Sequence, residues 1–362
     1  MSFKLEQVSS VVGGETHIHP LDLTLAAGSL NVLLGPTLSG KTSLMRLMAG
    51  LDKPTTGNIF WNGERMNDVP VQKRNIAMVY QQFINYSAMT VYENIASPLR
   101  IHGVDSKTID KKVMQAAKLM KLTPMLQRKP LELSGGQQQR CALARALVKE
   151  ADLVLLDEPL ANLDYKLREE LREEMPRLFT ESGAVFVYAT TEPTEALLLG
   201  GNTVSMWEGR VTQFGPTLGV YRNPNTMTTA KVFSEPPMNF LAMTKQDNQL
   251  SIANKQSLAM VDAFASLGNG QYTLGIRPNH LTLQRPNADA LAIETQVNVV
   301  EITGSESFIH LTHADARWVL LTQGIHHLEP GATLTVYIDP DNVYVFDSNE
   351  QMVLAPQPAK AA

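Results

Sequence analysis

The sequence predicts an α/β protein followed by a small all-β C-terminal domain. Two patterns lead to this. Short apolar runs at Leu30–Leu34, Leu153–Leu156 and Ala184–Ala189 read as buried strands, and stretches with helical spacing lie between them. Alternating strands and helices give a mostly parallel sheet covered on both faces. From about residue 240 the period changes to two, as in Leu334, Val336 and Ile338, in Val343 and Val345, and in Val297 and Val299. Strands of that kind, broken by Gly, Pro, Asn and Asp, predict a small barrel of the OB-like type.

The run Leu30–Leu34 ends at Gly35, so the strand leads directly into a turn. Leu44, Leu47, Met48 and Leu51 then share one helix face, which Gly50 and Pro54 stop. Residues from about 93 to 150 read as a mainly helical subdomain by the same periodicity. The strand at 153–156 ends in Asp157-Glu158-Pro159. The helix after it carries Leu167, Leu171, Met175 and Leu178, with Pro176 expected to kink it. Glu235-Pro236-Pro237 marks the expected boundary, giving a first domain of 1–235 and a second of 236–362. The Ala-, Pro- and Lys-rich tail from Ala355 reads as disordered.

Composition narrows the function. A chain of 362 residues suits two or three domains, and 44% hydrophobic with 19% charged residues is a globular balance. A net charge of −5 gives no support for a nucleic-acid partner. Cys141 stands alone, which excludes an internal disulfide framework and a cysteine-based zinc site, and it reads as a small buried hydrophobe. No apolar run approaches the roughly 18 residues of a membrane span, and Met1-Ser-Phe-Lys-Leu-Glu has no apolar signal core behind it. The expectation is a soluble, cytoplasmic chain that is free to dock on a membrane protein.

Gly35-Pro36-Thr37-Leu38-Ser39-Gly40-Lys41-Thr42 fits the phosphate-cradling pattern G-x-x-x-x-G-K-[ST] between a strand and a helix, and Ser43 follows it. Backbone N–H groups of such a loop and the helix N-terminus bind phosphates. Lys41 is expected to reach the β- and γ-phosphates of ATP, and Thr42 to ligate Mg²⁺. Asp157 at a strand end can hold the cation through water, and Glu158 can polarise an attacking water. Ser134-Gly135-Gly136-Gln137 precedes a helix with Leu143 and Leu147 and offers a second anion cradle. One ATP does not need two such cradles from one chain, so the economical arrangement is a pair of chains, each completing the other's site.

These segments, in this order, closely resemble the ATPase subunit of an ABC transporter. The Leu160-Ala-Asn-Leu-Asp164 continuation resembles that family's D-loop, and Gln81 in Val79-Tyr80-Gln81-Gln82 matches its Q-loop. Pro237–Leu241 and Gly275–Leu281 resemble the C-terminal domain of carbohydrate-importer ATPases serving maltose, glycerol phosphate and related solutes. The resemblance implies that Gly35 to Ser43 binds ATP and Mg²⁺, with Asp157 supporting the cation. Gln81 would sit at the cation and γ-phosphate side and link to the permease. Ser134 to Gln137 would complete the partner's site, Glu158 would activate water, and Asp164 would signal across the dimer. It also implies two transmembrane permease subunits, an external solute-binding protein and a peripheral position on the cytoplasmic face of the inner membrane. Phe83 to Val91 would face the permease or be a plain surface loop.

Three positions depart from the family pattern. Thr191, in Ala189-Thr190-Thr191-Glu192-Pro193, occupies the place of the switch histidine; it can donate a hydrogen bond but carries no charge. Val12 stands where an aromatic would stack on adenine, and the nearby His17 and His19 read as surface histidines on a turn. Leu38 replaces a loop glycine, which adds strain if the backbone there needs positive φ. A kept signature segment beside weakened accessory contacts suggests a heterodimer with a fully equipped ATPase chain. Glycerol-importer ATPases resemble this case, since that branch uses two unlike ATPase chains. The alternative is a largely non-hydrolytic regulatory subunit. An ATPase acting on DNA or ribosomes is disfavoured by the importer-like C-terminal domain and the absence of a basic patch.

Overall fold

The apolar runs do form the central parallel sheet. The computed structural model describes residues 2–161, 163–247, 249–252 and 256–356. Asn162 and the tail from 357 lie outside the described residues, as does the side chain of Leu178. The chain divides into two compact units at Thr217 and Leu218.

In chain order the first unit contains β1 (Ser2–Val12), β2 (Glu15–Ala26), β3 (Leu30–Leu34), α1 (Lys41–Ala49), β4 (Thr56–Trp61), β5 (Glu64–Arg65) and β6 (Ile76–Val79). Then come α2 (Val91–Ile101), α3 (Ser106–Leu119), α4 (Gly135–Val148), β7 (Leu153–Asp157), α5 (Tyr165–Ser182), β8 (Val185–Thr190), α6 (Pro193–Leu199), β9 (Asn202–Trp207) and β10 (Arg210–Pro216). One sheet runs β10-β9-β3-β8-β7-β6 and is parallel from β9 to β6, with β10 antiparallel at its edge. The registers Leu34 with Thr190 and Asp157 with Ala189 bring the carboxyl ends of β3, β7 and β8 to one edge. Ligands bind at such an edge in open α/β sheets.

A second, antiparallel sheet, β2-β1-β4-β5, was not part of the sequence expectation. Its period-two signal lies in Leu21, Leu23 and Leu25, which point inward. Leu44, Met45, Leu47 and Met48 of α1 pack in one core with these residues and with Leu153, Leu155, Val185 and Val187 of the parallel sheet. The helical subdomain is α2, α3 and α4, as the periodicity predicts. The α5 helix continues through Pro176 to Ser182. Cys141 is fully buried in α4, and burial pushes its thiol up to about 11, so it acts as a hydrophobe.

The division falls at the first residue of a short helix, Thr217–Arg222, and the second unit continues with the helix Met227–Val232. Antiparallel sheets follow, around a core that includes Leu241, Ile276, Ile293, Trp318 and Val336. Asn239 exchanges hydrogen bonds with the Val319 backbone at 2.8 and 2.7 Å and ties one sheet to the other. The Glu235–Pro237 segment, expected as the boundary, lies inside this unit. Arg277 gives the reason. Its buried guanidinium donates to the carbonyls of Phe233 and Tyr221 at 2.9 Å each, and it lies over the Tyr221 ring. Residues 218–233 are thereby held to the β domain.

Candidate functional site

Gly35 leaves β3 with no room for a side chain: a Cβ there would meet the Met206 carbonyl at 2.4 Å and Ser39 Oγ at 2.5 Å. Gly40 sits at φ 98°, which glycine adopts without cost, and caps α1. Leu38 also has positive φ, 68°, and its side chain is 94% exposed. The loop therefore does require the left-handed backbone at this position, and leucine adopts it under strain.

Lys41 turns its ammonium onto the loop, donating to the carbonyls of Gly35 at 2.7 Å and Pro36 at 3.0 Å. Its pKa is lowered, chiefly by burial, against the opposing pull of Glu158 and Asp157. Thr42 Oγ1 donates to Asp157 Oδ2 at 2.8 Å. Burial raises the Asp157 pKa more than Thr42 and Lys41 lower it. Ser39 Oγ is buried without a hydrogen-bond partner. A buried cation and an orphaned hydroxyl in the loop, with the buried carboxylate that ends β7 bonded to Thr42, suit an anionic ligand carrying a divalent cation. Phosphates would relieve Lys41 and Ser39, and the cation would relieve Asp157.

Glu158 follows β7 at φ 47°, a strained value for a non-glycine residue, while its N–H donates to the Ala189 carbonyl at 3.0 Å. Its carboxylate accepts from Gln81 Nε2 at 2.8 Å. Thr191 follows β8. A groove of about 670 Å³ brings together Thr37 to Ser43, Gln81, Glu158 and Thr191. A groove of about 930 Å³ lies at the opposite, amino ends of β7 and β8 and is lined by none of these residues.

Other candidates lie elsewhere. Val12 is 58% exposed at the end of β1 and does not line the groove, whereas His17 and His19 of β2 do. Both are surface residues, as the sequence predicts, but they lie in a strand and not on a turn. The signal for this is Ile18, whose inward side chain turns its two neighbours the other way. The strand is also strapped to the loop, since His19 N–H donates to Gly209 O at 2.9 Å and Gly209 N–H to Ser39 O at 3.0 Å.

Ser134 caps α4 in a reciprocal box, Gln137 N–H to Ser134 Oγ at 3.4 Å and Ser134 N–H to Gln137 Oε1 at 3.0 Å. Asp164 caps α5, accepting from Leu167 N–H at 3.0 Å. Neither Ser134–Gln137 nor Asp164 lines the groove.

Residues 18–161 match the ABC transporter family and residues 274–346 the TOBE domain family. The sn-glycerol-3-phosphate import ATP-binding protein UgpC of Vibrio vulnificus is 36% identical over 350 residues, 96% of this chain and 93% of that protein. The chain belongs to the ATP-binding subunits of ABC importers of the carbohydrate and polyol type. An uncharacterized ABC transporter ATP-binding protein of Escherichia coli, YcjV, is 33% identical over 359 residues, 97% of this chain and 98% of that one. Among solved structures, a post-hydrolysis dimer of the ATP-binding cassette MJ0796 bound to ADP and Pi aligns with a TM-score of 0.55 at 28% identity, over 59% of this chain and 98% of that one. The cassette of cbiO1 from Clostridium perfringens aligns at 0.55 and 25%, over 60% and 90%.

The chain is therefore an ABC ATPase, the energy-coupling subunit of its importer. No helix among the described residues is long and apolar enough to cross a membrane.

Proposed function

We propose that this ABC ATPase energises import of a small carbohydrate or polyol, with glycerol or its phosphate as the leading solute class. It would work as one half of a heterodimer with a better-equipped ATPase chain. The assembly would hold two transmembrane permease subunits and receive solute from an external binding protein, at the cytoplasmic face of the inner membrane. The solute class is supported by whole-chain relatives named for sn-glycerol-3-phosphate import.

The observation that carries the pairing is a mismatch between two half-sites. The chain's own groove has an uncharged Thr191 beside Glu158. The Ser134–Gln137 cradle is intact and lies outside that groove. Gly135 adds support: it has no positive φ, and a Cβ there would meet nothing within 4 Å. Its own fold does not need glycine at that position, whereas close approach by a second chain's nucleotide would.

In this reading Lys41, Ser39 and the loop N–H groups bind the phosphates of ATP, and Thr42, Asp157 and Gln81 hold Mg²⁺. The cation would neutralise phosphate charge. His17 and His19 form the base side of the groove. Gln81 orients Glu158, which takes a proton from water as the water oxygen bonds the γ-phosphorus and the bond to the β-phosphate oxygen breaks. Thr191 offers one neutral hydrogen bond to the γ-phosphate. Asp164 and the turn around it carry the state of one site to the other.

A second reading, a largely non-hydrolytic subunit, is favoured by Thr191 alone. Turnover of the isolated full chain beside its Glu158→Gln variant separates the two. The heterodimer reading expects weak turnover alone and a large gain on adding the partner chain. High Glu158-dependent turnover by the chain alone would overturn it.

A further inference from the structure

Arg168 and Arg172 lie one turn apart on α5 and face the segment that carries Thr191. Arg168 Nη2 donates to the carbonyls of Ala161 at 3.4 Å and Leu163 at 3.3 Å, and its Nη1 stands 3.8 Å from Glu192 Oε1. Arg172 Nη2 donates to Glu192 Oε2 at 3.2 Å and pairs with the buried Glu195 at 3.5 Å, while its Nη1 bonds Glu169 at 2.7 Å. Glu192 is also held from its backbone, its N–H donating to Thr190 Oγ1 at 3.0 Å. Thr191 thus sits between two residues joined by that bond, with the second of them anchored by two arginines. Glu158, Thr191, Glu192 and Arg168 wall one small cavity of about 20 Å³.

We propose that Glu192 is a positioning residue that sets Thr191 against Glu158, and that Arg168 makes the Thr191 segment and the backbone at Ala161 and Leu163 one mechanical unit. The proposal rests on the reading of Glu158 and Thr191 as the γ-phosphate side of the groove. Arg172 is only 11% exposed, so its charge needs the carboxylates around it. Arg168 is the link, because one guanidinium holds the Ala161 and Leu163 carbonyls and Glu192. A displacement of Ala161 and Leu163 by a partner chain would then be felt at Thr191 without passing through the nucleotide.

The test is amide hydrogen exchange of the full chain, with and without ATP, in wild type, Glu192→Gln, Arg168→Gln, the double variant and Glu192→Asp. Each single variant to glutamine is expected to speed exchange about tenfold in peptides covering both 161–164 and 190–193, with the α1 peptide unchanged within twofold. The double variant should be no worse than either single one, and Glu192→Asp should restore most of the protection. Acceleration in only one segment, in neither, or equally in α1 would overturn the proposal, as would a failure of Glu192→Asp to rescue. If ATP does not protect the wild-type α1 peptide, the nucleotide reading fails separately, and the comparison of the two segments still decides the linkage.

Discussion

Gln81 Nε2 donates to Glu158 Oε2 at 2.8 Å, joining residues 77 positions apart across the mouth of the groove. The bond aims one carboxylate oxygen and leaves the other to act on water. Gln81→Ala should therefore lower turnover in the assembled transporter by roughly 10- to 100-fold while ATP affinity changes by a few fold at most. Steady-state ATP turnover against ATP concentration checks the split. Equal loss in both parameters would assign Gln81 to binding instead.

Asp157 should trade stability for function. Burial is the main cause of its raised pKa. A carboxyl whose folded pKa is raised favours the fold most when protonated, and that advantage is lost as pH rises from the ordinary value, 3.8, through the folded value. The ionised form therefore costs the nucleotide-free protein stability at neutral pH. Asp157→Asn should raise the melting temperature at pH 7, with the difference shrinking as pH falls toward 3.8. The same variant should lose the extra stabilisation that wild type gains from Mg²⁺ with ATP.

Leu38 offers a test of backbone strain. A left-handed leucine costs about 1–2 kcal/mol, and glycine gives back roughly 0.5–1 kcal/mol of that in unfolded-chain entropy. Its side chain loses little packing because it is exposed. Leu38→Gly should raise stability by about 0.5 kcal/mol in urea denaturation and leave nucleotide affinity intact. A β-branched residue there should lower stability.

The rim of β1 and β2 should govern base affinity. His17→Ala is expected to weaken ATP binding several-fold, read by titration of the isolated chain. Val12→Tyr should tighten it by about 1 kcal/mol if the ring stacks on the base. No change in either variant would place the base elsewhere.

How far the site was legible in the sequence depended on how local its causes are. Gly35, Gly40, Lys41 and Thr42 follow each other along one turn, so spacing alone predicts their grouping. Asp157 and Glu158 end an apolar strand, and Ser134 precedes a helix with Gln137 at the capping distance, so their places follow from neighbouring residues. The contacts that no local pattern predicts depend on chain segments far apart. The β1–β2–β4 sheet gives His17 and His19 their position, and that sheet is held by pairings such as Phe3 with Trp61, which no local period reports. The backbone angle of Leu38 is likewise dictated by the loop as a whole. The unit boundary moved because Arg277, well inside the β domain, reaches back to Tyr221 and Phe233.

The division of labour between the two chains is the central claim, and one comparison tests it most directly. Complexes reconstituted in membranes would carry Ser134→Arg or Glu158→Gln in this chain, and transport-coupled ATP turnover would be measured for each. Arginine at 134 pushes bulk into the cradle offered to the partner's nucleotide, whereas Glu158→Gln silences only the groove that already has Thr191. Losing a catalytic group from a working site costs orders of magnitude in rate, so the contrast is large enough to read. The account predicts that Ser134→Arg is the more damaging change. If Glu158→Gln abolishes turnover while Ser134→Arg spares it, the asymmetry is contradicted, and the chain runs its own site with Thr191 in place.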